Sequence, residues 1–127
     1  MHFLFIKSFI FKLISILLTS ITIISGIITF ILNPGIIYNH KNEGINSENK
    51  IYCFQCRFQY PHLNLTLTHC ENCGVCYVER DHHCDVFGKC VAKNNFVIFT
   101  IFAISVCFLI VINFTSIGFL ISSNKNK

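Results

Sequence analysis

Two long apolar segments dominate the pattern of hydrophobic and polar positions along the chain. Leu13–Leu32 runs for 20 residues without a charged side chain, and Phe96–Ile121 runs for 26. In a helix, 20 residues span roughly 30 Å, which is the thickness of the hydrocarbon core of a bilayer. Both segments are apolar on all sides, as is typical of helices that face lipid. The pattern therefore predicts two transmembrane helices.

A cleaved signal peptide is the alternative interpretation of the first apolar segment, because Lys7 and Lys12 precede it. Signal peptides have apolar runs of about 7–15 residues that end at a small-residue cleavage site. The segment here is longer, and no Ala-x-Ala sequence follows it. A retained span is therefore favoured.

Polar positions separate the two predicted spans. Asn33-Pro34-Gly35 marks the end of the first helix, because proline cannot continue a helix and glycine permits a turn. A polar linker follows, and then a region rich in cysteine and histidine. The predicted organisation is a tail (1–12), a transmembrane helix (13–32), a linker (33–50), a cysteine-rich domain (51–95), a transmembrane helix (96–121) and a tail (122–127).

Composition and charge support a membrane location. Hydrophobic residues make up 53% of the chain and charged residues 13%, which is more apolar surface than a soluble domain of this size can bury. A net charge of +4, spread along the chain, does not favour nucleic acid as a partner. The segment between the spans carries more basic residues than either tail, and the positive-inside rule therefore places it in the cytosol. These basic residues are Lys41, Lys50, Arg57, Arg80, Lys89 and Lys93.

Cysteine and histidine are interleaved in the connecting segment at metal-ligand spacing. Repeated Cys-x2-Cys steps indicate zinc, because two such thiolates can bind one tetrahedral ion from a single turn. A disulfide framework is disfavoured, because the number of cysteines is odd here and the cytosol is reducing. The ten candidate ligands are Cys53, Cys56, His69, Cys70, Cys73, Cys76, His82, His83, Cys84 and Cys90.

Two tetrahedral zinc sites need eight ligands, so the ten candidates leave two groups over. A cysteine and a histidine left beside each other would be a nucleophile and its base. The count alone does not identify the two spare groups. His62, which also lies between Cys56 and Cys70, is an alternative to His69 as a ligand.

The order His-Cys-x2-Cys-x2-Cys-x4-Asp-His-His-Cys-x5-Cys, preceded by Cys-x2-Cys and followed by Asn-x3-Phe, resembles the cysteine-rich domain of the DHHC protein S-acyltransferases. The resemblance covers Cys53 to Phe99, and Asn33-Pro34-Gly35 is similar to the Asp-Pro-Gly sequence of that family. It implies two structural zinc ions with interleaved ligands. The implied ligands are Cys53, Cys56, His69 and Cys76 for one ion, and Cys70, Cys73, His83 and Cys90 for the other.

The resemblance leaves His82 and Cys84 as the spare pair and implies that they are catalytic. An unperturbed cysteine thiol is mostly protonated at neutral pH, so an adjacent imidazole that takes its proton makes it a better nucleophile. Asp81 can accept the other ring N–H and orient the imidazole. The implied reaction has two steps: Cys84 takes a palmitoyl or similar chain from acyl-CoA, and then passes it to a cysteine of a substrate protein.

The resemblance also implies a fold class and partners. We expect an α-helical integral membrane protein with two transmembrane helices flanking a small cytosolic, zinc-stapled cysteine-rich domain. The expected partners are acyl-CoA, membrane lipids, substrate proteins with cytosolic juxtamembrane cysteines, and a second copy of the chain. The expected location is an endomembrane, Golgi or endoplasmic reticulum.

Two departures from the family pattern leave a second function open. Asp85-Val86 stand where the family has Pro-Trp after the catalytic cysteine, and the Asp85 charge disfavours a neighbouring thiolate. The family has four membrane helices, and two are predicted here. The sequence is then a partial family member, a chain that assembles with another copy or partner, or a degenerate relative. The alternative function is a catalytically inactive, membrane-tethered zinc module that binds partners.

Overall fold

The computed structural model describes residues 2–37, 50–61 and 66–125. Two α-helices, α1 (His2–Ile31) and α2 (Phe96–Lys125), lie on either side of six short strands in the sequence. The strands are β1 (Lys50–Cys53), β2 (Phe58–Pro61), β3 (Leu67–Cys70), β4 (Val75–Val78), β5 (His82–Cys84) and β6 (Lys89–Val91). They pair antiparallel as β1–β2, β3–β4 and β5–β6, which we call the first, second and third hairpins. The chain divides into two compact units, Met1–Thr29 with Ile98–Lys127, and Phe30–Val97.

Each helix contains a segment that is long and apolar enough to cross a membrane. These segments are Phe9–Ile31 and Phe96–Gly118, each of 23 residues, with mean hydropathies of 2.3 and 2.7. Only 11% and 6% of their most apolar windows is buried, so neither resembles the core helix of a soluble protein. The prediction of two apolar helices flanking a cysteine- and histidine-rich region is confirmed. In α1 the helical backbone also includes residues 2–12, ahead of the predicted span.

Small and hydroxyl-bearing residues lie where α1 and α2 contact each other. Ser25 and Ser105 are buried, and the Oγ1 atom of Thr22 lies 2.9 Å from the Oγ atom of Ser105. A Cβ added at Gly26 would lie 3.2 Å from the ring of Phe102, so the ring packs directly against the glycine. Small residues allow this approach in membrane helices, where close packing and polar contacts replace the hydrophobic effect.

The segment after α1 belongs to the Phe30–Val97 unit and lies along β4. Asn33 ends the helix, because its Oδ1 atom accepts hydrogen bonds from the N–H groups of Gly35 and Ile36 at 2.9 and 3.0 Å. Gly35 has a φ of 107°, a conformation that side chains disfavour. The chain then forms a bridge between Ile36 and Tyr77 on β4. This bridge joins the end of α1 to the second hairpin.

The core of the Phe30–Val97 unit is small. Its buried cluster contains two cysteines, one aromatic residue and one alanine rather than large aliphatic side chains: Cys70, Tyr77, Cys90 and Ala92. Asn95 is fully buried beside this core, where its Oδ1 atom accepts from the Ala92 N–H and its Nδ2 atom donates to the Cys90 carbonyl. The core is too small to hold three isolated two-stranded hairpins by hydrophobic burial alone.

Candidate metal centres and reactive cysteine

The three hairpins turn through similar six-residue tips. In each tip the first residue pairs with the sixth, and the fifth residue has a positive φ. The tips are Cys53–Phe58, Cys70–Val75 and Cys84–Lys89, and the residues with positive φ are Arg57, Gly74 and Gly88 at 55°, 68° and 60°. In the first two tips the first and fourth residues are cysteines, so their thiols form a two-ligand knuckle.

The first candidate metal centre combines the tip of the first hairpin with a cross-strand pair of the second hairpin. The tip supplies Cys53 and Cys56, and the pair supplies His69 on β3 and Cys76 on β4, which face each other in the register. The four ligand atoms lie within 4.8 Å of one another. The Nδ1 atom of His69 is 3.2 Å from the Cys56 sulfur, and 3.7 Å from the sulfurs of both Cys53 and Cys76.

The second candidate metal centre repeats this arrangement one hairpin further along the chain. The tip of the second hairpin supplies Cys70 and Cys73, and the third hairpin supplies the cross-strand pair His83 and Cys90. The Nδ1 atom of His83 is 3.6, 3.3 and 3.8 Å from the sulfurs of Cys70, Cys73 and Cys90, respectively. The second hairpin therefore contributes to both centres, because neighbouring strand residues such as His69 and Cys70 point to opposite faces.

The geometry of both groups fits zinc. At zinc–sulfur and zinc–nitrogen distances of about 2.3 and 2.0 Å, tetrahedral donor atoms lie about 3.5–3.8 Å apart. The sulfur–sulfur distances are 3.5 Å between Cys56 and Cys76 and 3.7 Å between Cys73 and Cys90. Three thiolates and one imidazole are also a donor set that zinc prefers. Both groups could therefore hold a metal ion.

The thiols of the second centre differ in their proton affinity. Burial raises the pKa of Cys90 to about 12, together with hydrogen bonds and charge from Cys70 and Cys73. Burial also acts to raise the pKa of Cys70, but hydrogen bonds from the Cys73 backbone and the Cys90 thiol outweigh it and lower that pKa to about 7. In the first centre, the Cys56 backbone N–H and neighbouring thiols likewise overcome burial and lower the pKa of Cys53.

The third hairpin has the same tip geometry but lacks the second ligand. Cys84 occupies the position of Cys53 and Cys70, whereas Phe87 occupies the position of Cys56 and Cys73. In the described part of the chain, neither candidate metal group contains Cys84. The half-buried Cys84 is thus a knuckle cysteine without a partner cysteine in its tip, which explains why it is separated from the metal ligands.

Asp81 and His82 precede Cys84 on the same hairpin. The Oδ2 atom of Asp81 lies 2.8 Å from the Nδ1 atom of His82, and both side chains are partly exposed. Because strand residues two apart line the same face, His82 and Cys84 share one face of β5, while His83 points to the second metal centre. The tertiary structure therefore directs the two adjacent histidines to opposite faces of β5.

Two charged residues flank Cys84 in the third hairpin. The exposed Asp85 carboxylate lies 3.6 Å from the Nε2 atom of His83, on the side of the ring opposite the metal group. Lys89 is the cross-strand partner of Cys84, and its ammonium donates to the carbonyl oxygens of Phe30 and Leu32 at 2.8 and 2.6 Å. Burial lowers the pKa of Lys89.

The structure brings together the eight residues that the resemblance implies as ligands, and places them in two groups with the implied membership. His62, the alternative to His69, and most of the predicted linker lie outside the described residues.

Sequence reasoning missed Phe87 and Lys89. Phe87 becomes recognisable when the three tips are aligned by their residues of positive φ, because Phe87 then stands at the position of Cys56 and Cys73. Nothing in the sequence links Lys89 to residues 30–32.

Comparison with known proteins agrees with this geometry. Residues 46–127 match the family model of the DHHC palmitoyltransferases. The chain is 44% identical over 45 residues, 35% of its length, to the probable palmitoyltransferase ZDHHC24 of Rattus norvegicus. It is 41% identical over 64 residues, 50% of its length, to the palmitoyltransferase ZDHHC14 of Mus musculus. It is 40% identical over 58 residues, 46% of its length, to the palmitoyltransferase ZDHHC18-B of Danio rerio. The matched segments make up only 15%, 12% and 14% of these relatives.

Proposed function

The chain belongs to the DHHC palmitoyltransferase family, and from this premise we propose that it is a protein S-acyltransferase whose acyl acceptor is Cys84. The observation that carries the proposal is the arrangement of the third hairpin. It holds a cysteine outside both metal groups, on the strand face that also carries His82, whose ring is held by Asp81. The acyl donor is palmitoyl-CoA or a similar long-chain thioester.

The hydrogen bond between Asp81 and His82 determines which ring nitrogen acts as the base. The carboxylate of Asp81 accepts a hydrogen bond from the Nδ1–H group, so the neutral ring carries its lone pair on Nε2. His82 Nε2 then takes the thiol proton of Cys84 as the sulfur attacks the thioester carbonyl. The carbon–sulfur bond to CoA breaks, and the proton passes from His82 to the departing CoA thiolate.

The second step transfers the acyl chain to a substrate protein. His82 takes the proton of the incoming cysteine thiol, whose sulfur attacks the acyl-Cys84 carbonyl. The bond between the acyl carbon and Cys84 breaks, and the Cys84 thiolate recovers the proton from His82. Atoms and charges balance over the cycle, since one thioester is exchanged for another.

The two metal centres have a structural role in this proposal. Cys53, Cys56, His69 and Cys76 would hold one zinc ion, and Cys70, Cys73, His83 and Cys90 the other. When bound, the ions supply cross-links that hold the three hairpins together. Residues 51–95 then form the zinc domain. A cytosolic position of this domain is supported by the basic residues between the helices. The location is an endomembrane, Golgi or endoplasmic reticulum, and the substrates are proteins with cytosolic juxtamembrane cysteines.

Acyl-enzyme formation tests the proposal. The detergent-solubilised chain is incubated with tagged palmitoyl-CoA, and hydroxylamine-sensitive label is located by peptide mass spectrometry. We expect label on Cys84 in the wild type and none in Cys84→Ser, with two zinc ions per chain in both. The matched variant Cys73→Ser should lose zinc, because Cys73 is a ligand of the second group.

Two results would contradict this assignment. Equal loss of zinc in Cys84→Ser and Cys73→Ser would make Cys84 a ligand. Two bound zinc ions without any label on Cys84 would favour the inactive, membrane-tethered zinc module. That second function is supported by Asp85 and Val86, which follow Cys84 where the family pattern has Pro-Trp.

A further inference from the structure

The ammonium group of Lys89 binds the end of α1. It donates hydrogen bonds to the carbonyl oxygens of Phe30 and Leu32, at 2.8 and 2.6 Å. The last carbonyls of a helix lack partners within the helix and carry partial negative charge. Because α1 has no basic residue in its own last turn, the cation that satisfies these groups comes from the third hairpin.

Lys89 also lies opposite Cys84. The two residues are cross-strand partners, at the last pair before the turn of the third hairpin. The next pair along the hairpin, His83 and Cys90, belongs to the second candidate metal centre. In the turn beyond the Cys84–Lys89 pair, Val86 is 87% exposed. The Cys84 end of the hairpin is therefore held at two points, the His83–Cys90 pair and the Lys89 ammonium.

We infer that Lys89 is a positioning residue for the proposed acyl transfer, which clamps the Cys84 strand pair to the carbonyl end of α1. The inference rests on the proposed function. The His83–Cys90 pair holds the hairpin at the second metal centre, and the Lys89 ammonium adds a contact at the next strand pair, which helps to fix the direction of the thiol. Attack on a thioester requires such alignment, and small misplacements cost large factors in rate. Alkylation by a small soluble reagent has no comparable requirement.

The test compares Lys89→Met, which removes the charge, with Lys89→Arg, which retains a cation and its donors. Lys93→Met is the matched control, because Lys93 lies in the same unit and pairs with Glu79 at the surface, at 3.3 Å. Three quantities are measured on the full chain in detergent: zinc per chain, the rate of Cys84 acylation by palmitoyl-CoA, and the rate of Cys84 alkylation by iodoacetamide.

We expect Lys89→Met to slow acylation roughly tenfold to a hundredfold. The zinc content and the alkylation rate should be unchanged. Lys89→Arg should recover most of the acylation rate, and Lys93→Met should behave as the wild type. The inference is overturned if Lys89→Met acylates at the wild-type rate. It is equally overturned if acylation, alkylation and zinc content fall together, because Lys89 would then only stabilise the fold.

Amine footprinting separates failure of the inference from failure of the proposed function. In the wild type, Lys89 should react more slowly than Lys93 with an amine-acylating reagent, since its ammonium is engaged by two carbonyls. Equal reactivity would contradict the clamp even in an active enzyme. A protected Lys89 in a chain that forms no acyl-enzyme would leave the clamp standing, but would overturn the proposed function and, with it, the positioning role that rests on that function.

Discussion

Cys84 differs from Cys70 at the fourth position of the hairpin tip that each of them begins. Cys70 and Cys84 both begin a hairpin tip and both follow a histidine. Cys70 has Cys73 as the second knuckle thiol, whereas Cys84 has Phe87. A phenyl ring cannot bind a metal ion, so the third tip offers one thiol where the second tip offers two.

Replacing the second knuckle residue should therefore create a metal ligand pair at Cys84. In Phe87→Cys we expect one additional Cd²⁺ per chain, seen as increased thiolate-to-cadmium absorption, and acylation slowed roughly tenfold in the presence of the metal. Phe87→Leu is the control and should bind no additional metal. Unchanged cadmium binding in Phe87→Cys would show that the third tip does not have knuckle geometry in solution.

The two residues before His83 should differ in their effect on acylation. His82→Ala removes the proposed base and should slow acyl-enzyme formation about a hundredfold or more. Asp81→Asn retains the residue shape but weakens the hold on the ring, whose nitrogen lies 2.8 Å from the carboxylate, and should have a smaller effect. Single-turnover labelling with tagged palmitoyl-CoA measures both rates. Equal acylation rates in His82→Ala and the wild type would remove His82 from the mechanism.

At the scale of elements, the hairpins are short and depend on their tips. The strands contain only three or four residues each, and two-stranded hairpins of this length are unstable in isolation. Each tip needs a backbone with positive φ at its fifth position, which glycine adopts freely. The first tip has Arg57 at this position, where the second and third tips have Gly74 and Gly88.

Exchange of residues at the fifth tip position should change stability in opposite directions. Gly74→Ala should lower the free energy of unfolding by about 1 kcal/mol, because alanine disfavours the φ of 68° while its Cβ would meet no neighbour within 4 Å. Arg57→Gly should be stabilising by up to about 1 kcal/mol, because it relieves the same conformation. Thermal unfolding of the zinc-loaded chain measures both shifts. Shifts of the same sign would show that side-chain contacts, rather than φ, decide these positions.

At the scale of the whole molecule, the two compact units rely on different forces. The unit that contains most of α1 and α2 has exposed apolar surfaces suited to lipid and a small polar contact between helices. The Phe30–Val97 unit has a core of few side chains and two candidate metal centres. Structural zinc contributes roughly 10–16 kcal/mol in comparable small sites, so the second unit should depend on its metal.

Metal removal should therefore unfold one unit and spare the other. After treatment with a strong zinc chelator in detergent, we expect the helical circular dichroism of α1 and α2 to persist. Fast hydrogen exchange should appear in the amides of β3–β6, and readdition of zinc should reverse it. Protection of these amides that survives complete zinc removal would contradict a structural role for the metal.

The local properties of the sequence determined the two apolar helices and the family of this protein. Runs of apolar residues predicted two helices that could span a membrane, and the Cys/His motif predicted the family; both predictions are confirmed. These features are predictable because hydropathy and ligand chemistry belong to the side chains themselves. Zinc binding, the catalytic roles and the cytosolic orientation stay predictions, and the linker from residue 38 to residue 49 lies outside the described residues.

Only the tertiary structure decided which of the cysteine and histidine side chains lie together in each candidate metal group. The ligand count leaves the spare pair open, and the grouping depends on hairpin register, which pairs His69 with Cys76 and His83 with Cys90. Strand alternation then directs His82 and His83 to opposite faces. The contact between Lys89 and the end of α1 joins residues 57 and 59 positions apart. Such contacts have no signal in local composition or spacing, because they form only when the hairpins and the helix end are folded together.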